Sequence, residues 1–463
     1  MKSTIASMVL MCTIALASVV ACKKTSSSSD TTTPTTAAAV STLSCSAATV
    51  SSRPVNGSAY TGTATVPYSG GNSVAYAAGS GIASTGVTGL TATLQAGTLA
   101  NGSGSLTFGI SGTPTSAGTA NFAISFGGQS CAFSVSVDTA INTSVDCSTA
   151  TGTAKVVCLA NAFKATLSST QLAALQLSYS LSNAKTWSNL PASMSARIGL
   201  KMGTLSATQL AAAKALIQEI SGSSANEGYD EIQQLWLADD YLYNNGGGSD
   251  YGSGNYYIGF FGTPAMAGTF EIQMTGHHKT LANTYINGSL VGATPHFEAV
   301  EPLSFTSGGT TYAPINQEAA ALSAMLKGLT STQLTSAKLS KTYTDILLGP
   351  KVDWQFPTAH EGLQCNSLSA QQKELVIAAL KTYVNDIDDA NAATILAKYT
   401  NDLDNTFIAY SGTTDLATKN DYVRIDGNNV WIEFTVQGGI VYKQNVHYHS
   451  VWRDRLTDYG GTK

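Results

Sequence analysis

The chain has 463 residues and a net charge of −5, and only 11% of its residues are charged. That length exceeds what one hydrophobic core normally serves, so two domains are expected. No run of Lys and Arg is present to neutralise phosphates, which argues against nucleic acid as a partner. Beyond the N-terminus no segment is apolar enough to cross a bilayer.

Met1 and Lys2 precede an apolar stretch from Ile5 to Ala21 broken by Ser and Thr. This is the length of a signal-peptide core, and residues 1–21 are expected to be removed. The following Val19-Val20-Ala21-Cys22 resembles the bacterial lipobox, which implies a lipid on Cys22. Lys23, Lys24 and the Ser/Thr/Pro run from Thr25 to Thr36 cannot bury enough apolar surface to order themselves, so residues 22–40 read as a tether. The expected location is the outer membrane of a bacterial cell envelope, held by a lipid anchor and facing either the periplasm or the cell surface.

In an oxidising compartment cysteines pair. We expect Cys45 to pair with Cys131 and Cys147 with Cys158, leaving Cys365 as a buried small apolar residue.

Between Arg53 and Asp138 there is no Asp, Glu, Lys, Arg or His, and apolar residues recur at period two. Phe122, Ile124 and Phe126 alternate with small residues, Gly127-Gly128 supplies a turn, and Cys131, Phe133, Val135 and Val137 alternate back. Residues 41–138 therefore read as an all-β domain, an immunoglobulin-like sandwich. The segment Gly112-Thr-Pro-Thr-Ser-Ala-Gly-Thr119 with that hairpin resembles the Ig-like repeats of secreted bacterial proteins, which implies a spacer. Tyr60, Tyr68 and Tyr76 offer a glycan-binding surface, with half-buried sandwich tyrosines as the simpler reading.

From Asp146 the pattern becomes helical. Leu167-Ser-Ser-Thr-Gln171, Leu205-Ser-Ala-Thr-Gln209, Leu329-Thr-Ser-Thr-Gln333 and Leu368-Ser-Ala-Gln-Gln372 each predict a helix start with a capping box. Strands are predicted at Tyr256–Phe261, Phe270–Met274, Thr406–Tyr410, Tyr422–Ile425, Val430–Phe434 and His447–Trp452, the last three as an antiparallel meander. Residues 146–463 thus read as an α+β domain, a mostly antiparallel sheet packed on helices.

Several motifs fall here in order: Trp187-Ser-Asn-Leu-Pro191, Arg197-Ile-Gly-Leu200, Phe260-Phe-Gly-Thr-Pro264, Gly276-His-His278, Thr294-Pro-His-Phe297 with Glu301-Pro302, Tyr422-Val-Arg-Ile425, Val430-Trp-Ile-Glu433, and His447-Tyr-His-Ser-Val-Trp-Arg-Asp454 with Asp458-Tyr-Gly460. Over residues 146–463 the chain resembles the domain of unknown function 3500 family, which carries no established activity. Phe270-Glu271 departs from the tryptophan-bearing segment that the resemblance implies before the histidine pair.

All six histidines lie in this domain: His277, His278, His296, His360, His447 and His449. On a strand, residues two apart share a face, so His447 and His449 can present two imidazoles to one ion. His277 and His278 diverge in regular structure, so one of them is expected to join that pair. Three imidazoles with Glu301 or Glu433 would suit zinc, copper or iron and leave a position for water or dioxygen. The competing reading is a set of hydrogen-bonded histidines in a polar core. A second candidate centre is ionic: Arg197, Arg424 and Arg453, with Glu433 and Asp454, would grip a carboxylate or phosphate, against the simpler reading of an Arg424–Glu433 salt bridge. Asp239-Asp240, at the end of a predicted helix, offers a general base or a calcium ligand pair, with a solvated helix end as the simpler reading.

No phosphate loop, dinucleotide fingerprint, nucleophile elbow or His-Glu-x-x-His is present. The expectation is a cell-envelope lipoprotein whose His-rich pocket binds a transition metal for hydrolysis or oxidation. The alternative is a surface module that binds a ligand or glycan without catalysis.

Overall fold

The computed structural model describes residues 37–138 and 146–463. The leader 1–21, Cys22 and the tether up to residue 36 lie outside the described residues. Among those described, no helix is long and apolar enough to cross a membrane.

Residues 37–138 are all-β. Strands β1 (Tyr60–Asn72), β2 (Leu90–Leu94) and β3 (Asn101–Gly112) belong to a six-stranded sheet, with β3 between β1 and β2. Strands β4 (Gly118–Phe126) and β5 (Gln129–Val137) form the expected hairpin in a three-stranded sheet. Gly127 and Gly128 take φ of +59° and +87°, the left-handed backbone that a two-residue hairpin turn demands. The hairpin pairs Phe122 with Phe133 and Ile124 with Cys131. Its inward side chains meet Val66, Leu106 and Phe108 of the larger sheet in one core. Cys45 and Cys131 are bonded, 86 residues apart. The tyrosines are structural: Tyr60 and Tyr68 are buried, Tyr60 Oη donates to the Ser52 carbonyl, and Tyr68 Oη accepts from the Ala100 amide. Tyr76 packs edge-on against Phe126.

The second region begins at the bonded pair Cys147–Cys158, which staples the first turns of α1 (Gly152–Ala165). Helices α2 (Ser169–Leu175), α3 (Ala207–Glu219), α4 (Gly228–Leu242), α5 (Asn316–Lys327), α6 (Ser331–Ala337), α7 (Ala370–Val384) and α8 (Asp389–Asn401) follow. The strands are β6 (Tyr257–Phe261), β7 (Thr269–Thr275), β8 (Lys279–Ile286), β9 (His296–Val300), β10 (Phe407–Ser411), β11 (Tyr422–Asp426), β12 (Val430–Gly438) and β13 (Val446–Asp454). They run β6-β7-β8-β9-β13-β12-β11-β10 within a twelve-stranded sheet, and every neighbouring pair in this run is antiparallel. The expected meander β11-β12-β13 is present. Strands β8 and β9, at the centre of the sheet, escaped the sequence reading: Lys279, Thr280, Asn283 and Thr284 give β8 no apolar alternation, yet all four are buried.

That strand order is a palindrome about the β9–β13 pair, and the helices repeat in step with it. Each half runs from a capped short helix to a short strand, a second capped helix, a third helix and four antiparallel strands. The four capping boxes form as expected at Ser168/Gln171, Ser206/Gln209, Thr330/Gln333 and Ser369/Gln372. They also bond in pairs, Gln171 to Gln209 at 3.2 Å and Gln333 to Gln372 at 3.2 Å, 38 and 39 residues apart. The repeated Leu-Ser/Thr-x-x-Gln signature is thus the trace of a repeated unit as well as of helix starts.

One face of the sheet packs on the helices. Phe260, Ile272 and Met274 meet α1, α3 and α4, while Ile425, Ile432, Phe434 and Trp452 meet α5, α7 and α8. Cys365 is free and buried there, as expected. The opposite face is covered by loops, with Trp187 and Tyr459 packed on Phe261, Phe297 and Val451. The candidate centre lies on this second face, beside the axis of the repeat.

Candidate metal centre

Strand β13 settles which histidine face points where. Tyr448 and Trp452 are buried in the helical core, and Ser450 bonds Tyr383 of α7, so His447 and His449 must face the loop side. His278 arrives from the turn between β7 and β8, with φ of +70° and its carbonyl accepting from the Ala299 amide at 2.9 Å. That turn requires Gly276, because a Cβ there would collide with the ring of Tyr256. The ligating atoms of His278, His447 and His449 all lie within 4.8 Å of one another, and the Nε2 atoms of His447 and His449 are 3.1 Å apart.

Burial first, and then the neighbouring imidazoles, hold His278 well below the usual histidine range and His447 down to about 3. Both rings are therefore neutral and present lone pairs, the state a metal requires. Nδ1 of His449 lies 3.2 Å from Asp345 Oδ1 and 2.8 Å from the Gln437 amide. With the Gln437 carboxamide turned so that its oxygen accepts, an Nδ1–H shared by Gln437 and Asp345 leaves Nε2 free toward the centre, the carboxylate–histidine relay that orients metal-bound imidazoles.

His277 is outside the three-imidazole group, but it does not diverge from its neighbour as regular structure would require, because His278 takes a positive φ and both rings line the same cavity. Its ring stacks on His278 with centroids 3.5 Å apart, and its Nδ1 sits 2.6 Å from Asp239 Oδ1. Asp239 is 2% exposed and also accepts from the Gly252 amide, so the reading of a solvated helix end is corrected. It anchors the histidine turn to α4.

Neither acid expected beside the histidines is in the three-imidazole group. Glu301 Oε1 accepts from the Val441 and Tyr442 amides at 2.9 and 2.8 Å, which ties down the loop between β12 and β13. Glu433 accepts from the Leu347 and Leu348 amides at 2.7 and 2.8 Å and from Tyr422 Oη at 2.6 Å. A carboxylate saturated by three donors has little left for an ion.

The arginines do not form one anion-gripping cluster either. Although Arg424 and Glu433 are cross-strand partners, Arg424 Nη2 donates to Glu361 at 2.8 Å and its guanidinium lies over Trp431. Arg197 donates to the carbonyls of Ser188 and Leu190. Arg453 donates to the carbonyls of Leu348 and Gly349 and pairs with Asp458 and Asp353. Asp454 points to the helical side, accepting from Lys398 and Tyr399.

These clamps build a cavity of about 490 Å³ with the histidines in its lining. Arg197 secures one wall, Ser188–Pro191, and Glu433 with Arg453 secures the other, Asp345–Val352. Leu190, Pro191, Met194, Ile346 and Ile440 make much of the lining apolar. Asp345 is the residue that sequence reasoning missed. Asp345 sits in a loop with no periodicity to mark it, so nothing local signals its approach to His449.

The fold and the imidazole group define an α+β protein with several side-chain groups that can hold a metal, this one lining a cavity. The family described as "Protein of unknown function (DUF3500)" matches residues 149–461, and the chain belongs to that family. No curated protein and no solved structure matches it.

Proposed function

We propose that this protein is a metal-dependent enzyme of the cell envelope, with His278, His447 and His449 as ligands. The observation that carries the reading is the convergence of three buried imidazoles, two of them held neutral, in the lining of a cavity. A histidine set serving only as polar core would be satisfied by carbonyls and carboxylates. Here the Nε2 of His447 faces another imidazole nitrogen at 3.1 Å and not a carbonyl or carboxylate.

Three imidazoles without a carboxylate suit zinc or copper, and zinc with a fourth position open is the arrangement used for hydrolysis. Such an ion supplies Lewis acidity and acidifies a bound water. Asp345, half exposed beside His449, stands at the cavity rim and orients that ring. The apolar lining fits a substrate with a hydrophobic portion beside the reacting group. Copper or iron would direct the same ligands to oxidation.

The all-β region reads as an Ig-like spacer and Cys22 as its lipid anchor, so that the cavity is held away from the outer membrane. Metal analysis of the natively purified protein tests the central claim. Stoichiometric zinc, copper or iron that is lost in His449→Ala supports it, and protein free of metal in both forms favours a ligand-binding module without catalysis.

A further inference from the structure

On the helical face of the sheet, behind the histidine turn, five charged side chains meet out of contact with solvent. Lys279 of β8 follows His278 directly and points the other way. Its Nζ lies 3.0 Å from Glu231 Oε1, 3.0 Å from Glu298 Oε2 and 2.9 Å from Asp386 Oδ2. Glu231 comes from the first turn of α4, Glu298 from β9, and Asp386 from the residues just after α7. A fourth acid, Glu318 in the first turn of α5, completes the group, and all five residues are at most 2% exposed.

The ammonium uses one oxygen of each of three carboxylates, and the unused oxygens are the informative ones. Glu298 Oε1 and both oxygens of Glu318 have no hydrogen-bond partner. Glu231 Oε2 has only the Gln317 amide, at 3.4 Å. Ligand atoms of Glu231, Glu298 and Glu318 lie within 4.8 Å of one another. His296, next to Asp386 at 3.1 Å, leaves its buried Nδ1 unpartnered. Four buried carboxylates against one ammonium leave an excess of negative charge that a folded core does not tolerate without compensation.

We propose that Glu231, Glu298 and Glu318 bind a hard divalent cation of the calcium, magnesium or manganese class, on the side of the carboxylates opposite Lys279. The donors are oxygens only, which selects this class over the ions that imidazoles favour. Two of the ligands stand on α4 and α5 and the third on β9, so the ion ties the helical layer to the strand next to β13. It is a structural site, distinct in ligands and chemistry from the imidazole centre on the other face.

The test uses the full chain and the His447→Ala/His449→Ala double variant, which lacks the imidazole centre. Metal content is measured as isolated, and melting temperature after chelation and after re-addition of Ca²⁺, Mg²⁺ or Mn²⁺. The expected result is one equivalent of such an ion in both proteins, a fall of several degrees on chelation, recovery on re-addition, and loss of the effect in Glu318→Gln. If the double variant holds no such ion and none of the three raises its melting temperature, the proposal is overturned. An unchanged response in E318Q overturns it equally. Should E318Q fail to fold, the metal content of the double variant decides alone.

Discussion

Glu433 and Arg453, on adjacent strands, hold the same residue from opposite ends: the Leu348 amide donates to Glu433 Oε2 at 2.8 Å, and the Leu348 carbonyl accepts from Arg453 Nε at 2.9 Å. Both side chains are inaccessible to solvent, and both stand on the face that carries His447 and His449. Charged groups that look like ligand contacts in the sequence therefore act on the wall of the cavity.

Loosening that wall should cost stability and metal affinity together. Arg453→Met leaves Asp458 and Asp353 facing a buried gap, an expected loss of about 3–5 kcal/mol. Glu433→Gln keeps the shape but replaces a charged acceptor of three donors, for a loss of about 2 kcal/mol. Denaturant titration measures both. An E433Q protein as stable as the parent would show that the clamp contributes nothing.

Removing one imidazole should separate binding from folding. His447→Ala is expected to lose the metal while the metal-free protein keeps its melting temperature within a few degrees, as calorimetry with and without chelator would read. Asp345→Asn should weaken binding by about 10–100-fold, the usual effect of losing the carboxylate behind a ligating histidine. Equal metal affinity in D345N and the parent would remove Asp345 from the site.

Glu271 gives a pH dependence with a definite sign. It is buried in β7, accepting from Thr284 at 3.0 Å and Gln273 at 3.1 Å, and burial pushes its carboxyl from 4.5 up to about 7. The folded state holds that proton more tightly than the unfolded chain. The contribution is fully present below pH 4.5 and is lost as pH rises to about 7. Glu271→Gln should therefore leave stability unchanged at pH 4 and raise it at pH 8 by up to about 3 kcal/mol. Parallel stability–pH curves for the two proteins would refute the assignment.

The paired caps give a purely structural prediction. Gln209 bonds the Ser206 amide, the Thr166 carbonyl and Gln171, all at a buried helix start. Ser206→Ala should cost about 1 kcal/mol. Gln209→Ala should cost more, since it strands a buried carbonyl and an amide. Urea midpoints for the two variants check the order.

Much of this architecture was legible before any coordinates. Helix starts were readable because a capping box is a local hydrogen-bond exchange over four residues, and the hairpin because two glycines and period-two alternation determine register by themselves. Both disulfides followed from the number and position of the cysteines in each region. That His447 and His449 share a face follows from the pleat of a strand.

What only the tertiary structure decided are the relations between segments far apart in the chain. The centre of the sheet was hidden because β8 and β9 are buried on both faces and carry polar residues such as Lys279 and Thr284, whose partners come from other elements. The fate of each charge was hidden for the same reason. A carboxylate's role depends on which donors fold against it, and Glu301 and Glu433 found amide donors on loops remote in sequence, at Val441–Tyr442 and Leu347–Leu348. Residue types and local spacing determined which side chains were available for chemistry. Packing of one sheet face against helices and the other against loops determined which of them meet.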